Sequence, residues 1–142
     1  MGPMRRTCAM ALILGLLLPS MALSWRAWNR HEVFPLGGGL YEVLSEPGSG
    51  PADFWCGIGD YALSQLGVGA TDRIYIHRAI GAAVTRPGHR AVQFALAPPP
   101  GADLSTPLTL SVERVGDNLS AGFARQYCYG GRFDPLDRRF WN

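Results

Sequence analysis

Three stretches of this chain alternate apolar and polar residues with a period of two, and they constrain its fold more than any other feature. In RIYIHRAI, residues 73–80, Ile74 and Ile76 point one way and Tyr75 and His77 the other. In HRAVQFAL, residues 89–96, Val92, Phe94 and Leu96 oppose Ala91, Gln93 and Ala95, and in LTLSVERV, residues 108–115, Leu108, Leu110 and Val112 oppose Thr109, Ser111 and Glu113. Successive side chains of a strand lie on opposite faces, so the pattern predicts an antiparallel meander with one apolar face. That face needs a cover. ADFWCGIGDYALSQLG, residues 52–67, supplies one: Phe54, Ile58, Tyr61, Ala62 and Leu66 recur at helical spacing, with Asp53 able to cap the start and Gly67 to end the helix. Gly57 and Gly59 each cost a helix about 1 kcal/mol relative to alanine, so keeping both implies close packing or an irregular first turn. A second helix is expected in DNLSAGFARQYC, capped by Asp117 or Asn118, with Leu119, Phe123 and Tyr127 at intervals of four. The expected fold is therefore α+β: a small antiparallel sheet of three to four strands, covered on one face by one or two helices.

The remaining organisation follows from composition. Residues 1–24 read as an export signal: Arg5 and Arg6, an apolar run from Cys8 to Leu18, Pro19-Ser20, and small residues at Ala22 and Ser24 before a cleavage point. The run is shorter than the roughly 20 residues of a membrane-spanning helix, so no stable span is expected once the signal is removed. Residues 25–50 read as an irregular lead-in containing one short strand, LYEVL; residues 51–128 as the α+β domain; residues 129–142 as a loose tail. All 13 basic residues are arginine, a bias that fits a GC-rich bacterial gene and, with the signal, a periplasmic or secreted protein. Without Arg5 and Arg6 the chain has 11 arginines against 11 acidic residues, which speaks against a nucleic-acid partner.

The mature chain keeps Cys56 and Cys128. An even count in an oxidising compartment is read first as a disulfide, and both cysteines fall on helices expected to cover the same face. A second reading comes from DFWCGIGDYALSQLGV, which is locally similar to the nucleophile segment of NlpC-type cell-wall peptidases, where a cysteine opens a helix ending in a Leu-Gly run. That resemblance implies a cysteine hydrolase with Cys56 as nucleophile and His89, at the start of a later strand, as base. Gly57 and Trp55 stand where the family has a serine and an aspartate, and the Gly-Asp turn ahead of the histidine strand is absent.

No cofactor motif is present. His31, His77 and His89 are scattered, there is no CxxC pair, and the glycine runs at 37–39 and 57–59 form neither a dinucleotide fingerprint nor a phosphate loop, so neither metal nor cofactor is expected. Glu42, Glu46, Asp53 and Asp60 show no spacing that pairs an acid with a base. The expected function is a non-enzymatic binding or accessory protein whose partner is a protein or a cell-envelope ligand. Two surfaces are candidates: the polar sheet face with Tyr75, His77, Gln93 and Glu113, and the aromatic-arginine termini with Trp25, Trp28, Phe140 and Trp141.

Overall fold

A computed structural model describes residues 23–130. The expected signal, apart from Leu23 and Ser24, and all of the expected tail beyond Gly130 lie outside the described residues.

The expected small sheet under helices is overturned. Six strands form one antiparallel sheet curled into a half-barrel, with two short helices. In chain order they are β1 (Trp25–Arg26), β2 (Glu32–Gly37), β3 (Leu40–Leu44), helix α1 (Pro51–Ser64), β4 (Arg73–Ala82), β5 (Arg90–Ala95), β6 (Asn118–Ser120) and helix α2 (Ala121–Gln126). The spatial order is β1-β2-β3-β5-β4-β6. Residues 25–50 are thus not an irregular lead-in: they supply half the strands. The glycines at 37–39 make the β2–β3 turn, at φ values of 84°, 63° and 77°, a left-handed region in which side chains with a Cβ are strained. Three consecutive glycines between an apolar run and LYEVL are the hairpin signal of this turn.

The run 108–115, expected as a strand, is the opposite case. It pairs with no strand of the sheet and lies in the long excursion between β5 and β6. Val112 is buried and Leu108 is fully exposed, so alternation here reflects single anchoring residues. The backbone is held from outside the segment: Ile80 N–H donates to Val112 O at 2.9 Å and Trp55 Nε1–H to Ser111 O at 3.0 Å. A neighbouring strand segment, β6, was expected in the second helix. It pairs with the β4 residues Arg73 to Tyr75, and Ser120, not Asp117 or Asn118, caps α2 by accepting from Phe123 N–H.

The inner face follows the pattern read from the sequence. Val33, Val43 and Val92 form one row across β2, β3 and β5, and Tyr41, Phe94 and Ile76 another. Phe54, Trp55, Ile58 and Tyr61 of α1 pack on these rows, with Trp55 and Phe94 ring centroids 5.0 Å apart. Leu96, expected inward, lies past the end of β5 and is exposed. Asp53 sits in the first turn of α1 rather than at its cap, its Oδ2 accepting the Gly50 N–H at 2.8 Å.

A disulfide joins Cys56 of α1 to Cys128, which follows α2. The helices beside it touch through backbone: a Cβ built on Gly59 would lie 2.6 Å from the Arg125 amide nitrogen. The helix cost of Gly59 is therefore the condition for α2 to approach. Closing a loop of 72 residues removes unfolded-state entropy equivalent to roughly 4 kcal/mol on the chain-entropy account.

Candidate functional site

Three clefts among the described residues gather at one end of the half-barrel, around the loop Ser45–Gly50 that enters α1. Clefts of about 340, 400 and 410 Å³ open on three sides of it, and Ser49 lines all of them. The first lies against the β1–β2 turn, with Arg26, Arg30 and His31. The second faces Gly88, His89 and Arg90. The third runs under Arg90 toward Ile80, Phe54 and Ser111. Residues far apart in sequence supply the rim because three separate connections end here.

Ser49 orders the loop. Its Oγ accepts from the Glu46 N–H at 2.8 Å and lies 2.7 Å from both Glu46 O and His31 Nε2. The hydroxyl has one proton, so it donates either to Glu46 O or to the imidazole, and the tautomer of His31 follows that choice. His31 is 3 % exposed, edge-on to Phe54, with Nδ1 3.4 Å from Asn29 O. Asn29 Nδ2 donates to Asp53 O at 2.7 Å, and Asp60 Oδ2 accepts the Trp28 N–H at 2.8 Å. Asp60 also accepts from Ser64 Oγ at 3.2 Å and pairs with Arg125 Nε at 3.4 Å, so one carboxylate ties the turn to both helices.

On the outer face of the sheet, behind this end, the chain 83–89 folds back over β2 and β3. Glu42 is 0 % exposed and accepts from Val84 N–H, Thr85 N–H, Thr85 Oγ1 and Gln93 Nε2 at 2.6 to 3.2 Å. Burial pushes its carboxyl up, but the hydrogen bonds from Thr85, Val84 and Gln93 outweigh burial and hold it below its ordinary value of 4.5. Arg86 Nη1 lies 2.6 Å from Glu32 Oε2, and its guanidinium sits 5.8 Å from the Phe34 ring centre. Glu42 had no visible role in the sequence; the only hint was a single charged residue flanked on both sides by apolar ones in LYEVL.

The residues expected to form a polar binding face are dispersed. Gln93 is buried and bonded to Glu42. Tyr75 is half-buried opposite Ala95, and His77 sits at a register shift between Ile76 and Arg78. Glu113 is exposed in the β5–β6 excursion, off the sheet. Of the aromatic termini, Trp25 packs on Tyr61 with ring centroids 5.5 Å apart, while Trp28 is exposed beside Tyr129; Phe140 and Trp141 lie outside the described residues. Cys56 is buried and bonded to Cys128, which leaves no free thiol among the described residues, and His89 is exposed at the second cleft. No group of three or more His, Cys, Asp or Glu among the described residues is placed to hold a metal ion. No described helix is long and apolar enough to cross a membrane.

Compared with known proteins, the chain matches no family model, no curated protein and no solved structure. The class that can be stated is therefore architectural: a small α+β domain with a disulfide.

Proposed function

We propose that this chain is a small exported accessory protein of the bacterial envelope, periplasmic or secreted, which binds a ligand at the Ser45–Gly50 end of its half-barrel and catalyses no reaction. The observation that carries this reading is the convergence of three clefts on Ser49, each walled by side chains from different connections. Ligand sites are concave and assembled from sequence-distant residues on a rigid scaffold. Two further features support it. Cys56 and Cys128 are bonded to each other, as in proteins of oxidising compartments. The clefts are lined by polar and charged groups able to orient a ligand, while the sulfur that would make a nucleophile lines none of them and is held in a disulfide.

The test uses the full chain expressed in a Gram-negative bacterium. Mass spectrometry of the envelope fraction, alkylated without reduction, is expected to show a chain beginning at Trp25 or Leu23 with both remaining cysteines protected. A chain retained in the cytoplasm overturns the export reading. A Cys56 that alkylates readily, together with peptidoglycan cleavage abolished in Cys56→Ala and His89→Ala, replaces the accessory protein with a cysteine hydrolase.

A further inference from the structure

The β1–β2 turn closes through Arg30 N–H to Ala27 O at 2.8 Å and Ala27 N–H to His31 O at 2.9 Å. Its last position, Arg30, has φ 69° and is the one positive-φ residue other than glycine among the described residues. Hairpins of this kind place Gly or Asn there, because a larger side chain is strained in the left-handed region. Nothing about the turn's own stability calls for an arginine. Trp28 and Asn29 anchor the turn to α1, and His31 anchors it to Ser49. The Arg30 side chain is exposed and makes no hydrogen bond or ion pair among the described residues. Strain held by its surroundings, at a side chain the fold does not use, is a signature of function.

That side chain lines the 340 Å³ cleft together with Arg26. We propose that Arg30 and Arg26 form a receptor for a small organic ligand bearing a single carboxylate. Guanidinium forks match the two oxygens of a carboxylate. The same cleft is lined by Glu46 and Asp53, and Arg26 Nη2 already lies 3.4 Å from Glu32 Oε1, so Arg30 brings the one guanidinium there without an ion pair among the described residues. Asp53 is committed to the Gly50 N–H, and Glu46 is exposed. Phosphate, dianionic in part at neutral pH, and polyanions meet repulsion from these carboxylates that a monoanion meets least. The volume falls at the lower end of small-molecule sites, which selects a compact ligand over a polymer.

This inference rests on the accessory-protein reading, and its test is separate. The exported full chain, labelled with ¹⁵N, is titrated with sodium acetate, citrate and inorganic phosphate at constant ionic strength. Acetate is expected to give saturable shifts at Arg30, His31 and Ser49, with citrate and phosphate at least about 3-fold weaker per mole. Arg30→Asn and Arg30→Gly, which relieve the turn, are expected to weaken acetate binding about 10-fold or more while holding or raising Tm by up to about 4 °C. Arg30→Lys keeps the charge without the fork and falls between. Absence of saturable acetate binding, equal binding by Arg30→Asn, or preference for phosphate overturns the proposal. Those results leave a correctly exported protein with protected cysteines, whereas failure of the accessory-protein reading shows as cytoplasmic retention or a reactive Cys56, whatever the cleft binds.

Discussion

Val43 and Glu42 are neighbours on β3, both 0 % exposed, and they face opposite sides of the sheet. The two sides are buried by different physics. On the inner side Val43 joins a continuous apolar cluster completed by α1, and the disulfide holds α1 near α2. On the outer side a small apolar patch of Phe34, Leu44 and Ala91 accompanies a carboxylate, and the chain 83–89 covers it by donating hydrogen bonds. Apolar burial is non-directional and scales with area, so it tolerates adjustment. A buried carboxylate needs each of its donors in place, because an unmade bond costs more than a made one gains. The half-barrel therefore has a forgiving inside and an exacting latch outside.

The contrast can be broken first from within. Phe94→Ala removes a fully buried ring against Trp55 and is expected to cost about 3–5 kcal/mol in denaturant unfolding. Next comes the brace. Paired Cys56→Ser and Cys128→Ser substitutions are expected to lower stability by roughly 4 kcal/mol, with less loss if the reduced ensemble is compact. If reduction leaves Tm unchanged, the disulfide plays no part in joining the helices. Gly59→Ala is expected to cost about 1–3 kcal/mol by forcing α2 away from α1.

The outer side is sharpened by charge and pH. Glu42→Gln presents an amide NH₂ to groups that are themselves donors, and a loss of about 2 kcal/mol is expected. Because the folded carboxyl is held below its ordinary value, its contribution is complete above about pH 4.5 and disappears as pH falls through the lowered folded value. The wild-type protein should lose stability more steeply on acidification than Glu42→Gln, with amide exchange at Val84 and Thr85 speeding up first. Equal acid slopes would refute the latch. Smallest is Arg86→Ala, which removes a partly exposed ion pair with Glu32 and the contact with Phe34; about 0.5–1 kcal/mol is expected.

The inner pattern was legible in the sequence where a ladder and a core enforce it together. Ile74, Ile76, Val92 and Phe94 alternate because their strands pair and their inward side chains meet α1. Residues 108–115 alternate just as well but have no ladder, since local pattern does not specify a pairing partner. Strands β1 and β6 are only two and three residues long, and β2 contains Pro35, so propensity alone did not reveal them. The proposed site was less legible still. Arg30 and His31 stand in the β1–β2 turn, Ser49 in the loop entering α1 and Arg90 at the start of β5, and no spacing in the sequence places them at one end of the barrel.

By itself, the sequence determined which side chains seek the core, that Cys56 and Cys128 were available to bond, and that a helix with two glycines had to lie close to something. Only the tertiary structure decided that the sheet has six strands and curls, that Gly59 meets the backbone of α2, that Glu42 is buried under a folded-back connection, and that three clefts meet at Ser49. The division has a physical reason. Hydrophobic periodicity is written in neighbouring residues, whereas strand pairing, buried hydrogen bonds and concave sites depend on partners that come together only when loops close.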